Sequence, residues 1–157
     1  MPSPSRTPLA RILLGGFVAG TVDIVAAALI NLISPIVIMR YVAMGVLGRR
    51  SLEMGIFSAA LGMSLQWAMS ILIAAIFVFA GGAVPAIRRH WAGAGLAYGV
   101  VVFFVMEYVV VPLSAVGRVP HFTAASFAEN MVAMLLFGVI VAYFARDVGR
   151  DVALRIK

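Results

Sequence analysis

Hydrophobic and polar positions are segregated along this chain into blocks, with no alternation between them. Four apolar runs, at residues 12–34, 54–80, 92–111 and 127–145, hold most of its length, and nearly every charge falls between them. Each run is near the ~20 residues that carry a helix across a ~30 Å hydrocarbon core. Only closed backbone hydrogen bonding is tolerated there, so each run is predicted to be a helix. The expected fold is all-α: a polytopic four-transmembrane-helix bundle that occupies 1–157 as one membrane domain. Between the first two runs, residues 36–48 are too apolar for a solvated loop and too short to cross. They predict a short interfacial helix, with a buried re-entrant turn as the alternative and Arg40 directed at headgroups or inward.

Prolines and glycines punctuate the runs. Ser34-Pro35 and Val111-Pro112 are expected to close the first and third spans, and Gly81-Gly82 followed by Pro85 to break the chain after the second. Landmarks also recur at nearly constant separation: Pro35 and Pro112, Glu53 and Glu129, Gly62 and Gly138, and Gly16-x-x-x-Gly20 with Gly95-x-x-x-Gly99. A duplicated helical hairpin would produce them, although glycine and proline recur near span ends in any case. The two small-xxx-small patterns permit close helix approach and are read as internal packing ahead of oligomerisation.

Composition supports a lipid environment. The chain is 64% hydrophobic with a mean hydropathy of +1.10. A water-soluble domain of this length has too high a surface-to-volume ratio to hide that much apolar surface. The net charge of +6 is read as topogenic, not as a nucleic-acid footprint, because no dense basic run stands outside the spans. With four spans, Arg6, Arg11, Arg88, Arg89, Arg146, Arg150, Arg155 and Lys157 share one side, and Arg40, Arg49, Arg50 and Arg118 the other. That asymmetry predicts both termini in the cytoplasm. Arg6 and Arg11 ahead of an apolar run resemble the start of a signal peptide. The run outlasts a normal signal core and contains Asp23, so a retained first helix is expected.

Candidate chemistry is confined to polar residues inside the spans, which are costly there and face a protein interior or a cavity. Asp23 and Gln66 lie near mid-membrane on the first and second spans. They meet across the hairpin only if the second span keeps the register drawn here. Glu107 lies ~9 Å outward of the centre of the third span at the usual helical rise, and Glu129 and Asn130 lie at similar depth in the fourth. Asn31 is somewhat further out on the first. Three roles compete for this cluster. One is structural bridging between helices. A second is a proton or cation pathway in which Glu107 and Glu129 share a site. The third is recognition of a headgroup or another subunit, with Arg40 and Arg118 as phosphate or carboxylate partners. At the other end, Arg88 and Arg89 beside His90 and Trp91 fit headgroup contacts.

Chemistry of soluble enzymes is missing from the sequence. Cysteine is absent, and there is no phosphate-binding glycine loop, no His-Glu-x-x-His and no Gly-x-Ser-x-Gly. His90 and His121 fall on opposite sides, so they cannot share a metal. No cofactor and no metal are expected. Partners are limited to the lipid bilayer and a second copy or another membrane protein, without nucleic acid.

Gly15-Gly16-x-x-Ala19-Gly20-Thr21-x-Asp23-Ile24, Val110-Val111-Pro112-Leu113-Ser114 and Glu129-Asn130 together resemble a group of uncharacterised bacterial inner-membrane proteins. More distantly, these elements are similar to the YagU-like proteins, mainly over the third and fourth spans. The resemblance implies a four-helix protein of the bacterial inner membrane and carries no assigned activity. The expected function is a non-enzymatic accessory or structural membrane protein. The alternative is a small proton- or cation-coupled transporter or channel using Asp23, Glu107 and Glu129. An intramembrane lipid enzyme ranks last, since no nucleophile–base arrangement stands out.

Overall fold

In hydrocarbon every backbone N–H and C=O must be satisfied within the segment, and the apolar runs comply by forming helices. A computed structural model describes residues 7–146; Arg6, Arg150, Arg155 and Lys157 of the charge count lie outside the described residues. The spans are α1 (Pro8–Asn31), α3 (Gly55–Ala83), α5 (Trp91–Leu113) and α6 (Ala124–Ala145), all long and apolar enough to cross a membrane. Two shorter helices, α2 (Pro35–Leu47) and α4 (Pro85–Arg89), join them. At most 39% of the most apolar stretch of any span is buried inside the protein. The remainder faces outward, and lipid is the solvent that tolerates it. The chain is a multi-pass, all-α membrane protein.

Helix ends differ from the expected boundaries for local reasons. Thr7 caps α1, accepting from Ala10 N–H at 3.3 Å, with Pro8 in the first turn. The helix stops at Asn31 because Leu32 adopts a left-handed conformation (φ 53°), and Ile33 N–H then bonds back to the Ala28 carbonyl. Ser34-Pro35 therefore closes nothing. Ser34 caps α2 by accepting from Val37 N–H, and Pro35 occupies the first turn, where its missing N–H costs nothing. Gly81-Gly82 does not break the second span either: α3 runs through both to Ala83, and the extended Val84 before Pro85 ends it.

In α5, Pro112 falls inside the last turn instead of after it. Proline cannot donate to the carbonyl four residues back. The ladder just upstream shifts to a π turn over Met106–Val110, where Val111 N–H reaches the Met106 carbonyl. Helix α6 opens on a capping box, Thr123 and Ser126 each bonding the other's backbone.

Helix α1 packs on both α3 and α6, and α5 on α6. Close fit drives this association, since burial of apolar surface gains little in lipid. Gly16 and Gly20 abut Ile71 and Ser70 of α3, while Gly95 and Gly99 abut Gly138, Met134 and Leu135 of α6. Both small-xxx-small patterns thus hold the first helix of a hairpin against the second. Gly62 and Gly138 do not correspond in use, because Gly62 receives α2 at Met39 while Gly138 receives α5. Helix α2 does not cross. It buries Ile38, Met39 and Ala43 against Ile24 and Ala59, leaves Ile36, Tyr41 and Val46 exposed, and is tied to the α5–α6 loop by Ala115 N–H donating to the Gly45 carbonyl at 2.8 Å.

Candidate intramembrane carboxyl site

Residues 62, 66, 70 and 74 of α3 recur every four positions and form one stripe along the helix. Each serves a different contact: Gly62 admits α2, Ser70 meets Gly20, and Ala74 is buried in the main apolar core. Between them lies Gln66. On α1 the same logic places Asp23 one turn beyond Gly20, on the face that the glycines press against α3. Gln66 Nε2 donates to Asp23 Oδ2 at 2.7 Å, so the drawn register holds and the expected mid-membrane pairing is made. Alongside it Trp67 Nε1 donates to Thr21 Oγ1 at 3.3 Å, and the Phe17 and Trp67 rings lie 4.7 Å apart.

Glu107 comes to this pair from α5, in the π turn. It is half-buried and near enough to Asp23 for their charges to interact. Among the described residues it forms no hydrogen bond or ion pair. The extra residue of a π turn rotates the side chains around it, which is why such turns often mark functional positions.

Glu129 does not share a site with Glu107. On α6 it lies on the face of Val132, Ala133 and Leu136, and that face turns toward Ala26, Leu29 and Ile30 of α1 across an apolar groove of about 460 Å3. The side facing α5 is a different one, carrying Phe127, Met134, Leu135 and Gly138. Equal depth brought these two acids to the same level but on different faces. Asn31 and Asn130 do not bridge helices: each donates to its own helix, to the Ala27 and Ser126 carbonyls, both at 2.8 Å. Of the expected cluster, Asp23, Gln66 and Glu107 come together, while Asn31, Glu129 and Asn130 stand apart.

Two polar links escaped the sequence reading. Tyr98 donates to the Ile73 carbonyl at 2.8 Å and stacks on Phe77, tying α5 to α3; a tyrosine in mid-span was the available signal. Arg146 lies 4.1 Å over the Tyr143 ring and 5.7 Å from that of Trp91, a belt signalled by the two aromatics alone. Near the opposite end Arg40 is half-buried in α2. Its Nε is enclosed without a partner among the described residues, and Ser51 donates to its carbonyl at 2.9 Å. Arg118 is exposed in the α5–α6 loop, Arg89 is exposed and Arg88 half-buried at α4, and His90 and His121 are exposed at opposite ends. Comparison of the chain with protein families, with curated proteins and with solved structures finds no match, so the site is read from its own geometry.

Proposed function

We propose that this is a small, non-enzymatic proton- or cation-coupled membrane transporter whose working groups are Asp23 and Glu107. The observation that supports it most is the approach of Glu107, displaced by the π turn, to an Asp23 already held by Gln66 inside the span region. Two carboxylates at close quarters in hydrocarbon repel, and binding one proton or one monovalent cation between them relieves that cost. Gln66 orients Asp23, and Glu107, having no hydrogen bond of its own, is the group that turns over. In this reading the chain sits in a bacterial cytoplasmic membrane with both ends in the cytoplasm, as its charge asymmetry favours.

The test is proton flux into liposomes that hold the full chain and a pH-sensitive dye, driven by a potassium diffusion potential. Wild-type protein is expected to conduct, and Asp23→Asn and Glu107→Gln each to abolish flux while leaving helicity unchanged. Flux equal to that of empty liposomes, or variants conducting like wild type, refutes the proposal. A second reading, an accessory protein seated against a membrane partner, draws on the exposed Glu129 groove between α1 and α6. In that case Val132→Cys should crosslink to a defined partner in native membranes.

A further inference from the structure

The four arginines opposite the chain ends are not explained by topology, because the charge asymmetry places the topogenic excess on the other side. Two of them, far apart in sequence, converge. Arg49, in the turn after α2, and Arg118, in the loop between α5 and α6, line one cavity of about 230 Å3 together with Met44, Ala115 and Val116. That convergence is built into the fold. The backbone bond from Ala115 N–H to the Gly45 carbonyl, at 2.8 Å, fastens the α5–α6 loop to α2 at this spot. Ser114 reinforces the loop, its hydroxyl donating to the Val111 carbonyl at 2.7 Å and accepting from Val116 N–H at 3.2 Å.

No acidic residue lines the cavity, and among the described residues neither arginine forms an ion pair. Two guanidinium groups, each a planar fork of donors, around a concave space with an apolar wall make a setting that favours a tetrahedral oxyanion. We propose that Arg49 and Arg118 form a phosphate-binding pocket at the membrane surface, with Met44 and Val116 packing against whatever carbon skeleton the phosphate carries. The ligand chemistry is a phosphate mono- or diester, from a lipid headgroup or a dissolved phosphorylated solute. This site is separate from the Asp23–Glu107 pair and does not depend on the transport reading.

The experiment uses full-length protein with Arg49→Gln and Arg118→Gln. Both side chains are exposed, so the fold is expected to survive, and circular dichroism checks that. Inorganic phosphate is titrated by calorimetry into detergent-solubilised protein. Phosphatidylglycerol retention is measured by native mass spectrometry after extraction from nanodiscs of phosphatidylglycerol and phosphatidylcholine. Binding of inorganic phosphate, weakened about tenfold or more by either substitution, supports the pocket with a dissolved ligand. Selective retention of phosphatidylglycerol, lost in both variants, supports it with a lipid headgroup. If neither probe binds, or if the folded variants bind as wild type does, the proposal is overturned.

Discussion

Replacing Gly138 with alanine puts a methyl group where the backbone of α5 already stands. The added Cβ would lie 2.7 Å from Gly99 N and 2.9 Å from Gly99 Cα, and would also run into the Gly95 carbonyl oxygen. These are main-chain atoms of a regular helix and cannot rotate aside. Relief requires α5 and α6 to separate until carbon contacts reach ~3.5 Å or more, a gap that forfeits a quarter to a half of the dispersion attraction along the seam. Overpacking of this kind costs about 1–3 kcal/mol, and the rigid neighbours place it in the upper part of that range. Against it stands the ~1 kcal/mol that alanine gains over glycine in a helix. The net expectation is destabilisation by about 1–2 kcal/mol. Gly82→Ala is the control, since nothing lies within 4 Å of its added Cβ; it should be neutral or stabilising by up to ~1 kcal/mol. Reversible unfolding by SDS titration from mixed micelles, followed by far-UV circular dichroism, measures both. If Gly138→Ala is as stable as wild type and indistinguishable from Gly82→Ala, the close-approach account of the α5–α6 seam is wrong.

Three further outcomes follow from particular contacts. Gln66→Leu leaves Asp23 without its donor and should cost about 1–3 kcal/mol in the same titration, whereas a change under a few tenths would mean that the bond carries no weight. Tyr98→Phe removes the hydroxyl bound to the Ile73 carbonyl but keeps the ring against Phe77. A loss of about 0.6–1.7 kcal/mol is expected, and no loss would show that the ring alone joins α5 to α3. The chain has no cysteine, so Val119→Cys and Ala86→Cys, both at exposed positions, report sidedness cleanly. An impermeant maleimide should label Val119→Cys in intact cells and Ala86→Cys only after lysis; the reverse pattern would invert the orientation.

Solvent explains what was legible beforehand. Runs of twenty apolar residues admit one backbone solution in hydrocarbon, so four spans and a short non-crossing helix near residues 36–48 could be read directly, as could the internal use of Gly16, Gly20, Gly95 and Gly99. Boundaries were harder. Whether Leu32 turns left-handed, or α3 continues through Gly81-Gly82, depends on small local energies that a hydropathy pattern does not contain. The Asp23–Gln66 bond was readable because both residues lie on stripes defined by their small neighbours, given the register of one hairpin.

Depth in the membrane is a one-dimensional quantity, and the sequence by itself determined it: the helices, their order, and which polar groups share a level. Which of those groups meet is a question of azimuth, settled by how each helix is rotated against its neighbours. Gly138 packing on α5 turns Glu129 away from Glu107, and the π turn ahead of Pro112 brings Glu107 round to Asp23. Likewise only the folding of α2 across α3 at Gly62, with its tie to the α5–α6 loop, sets Arg49 beside Arg118. These choices belong to the tertiary structure because they arise from contacts between segments, which no single segment encodes.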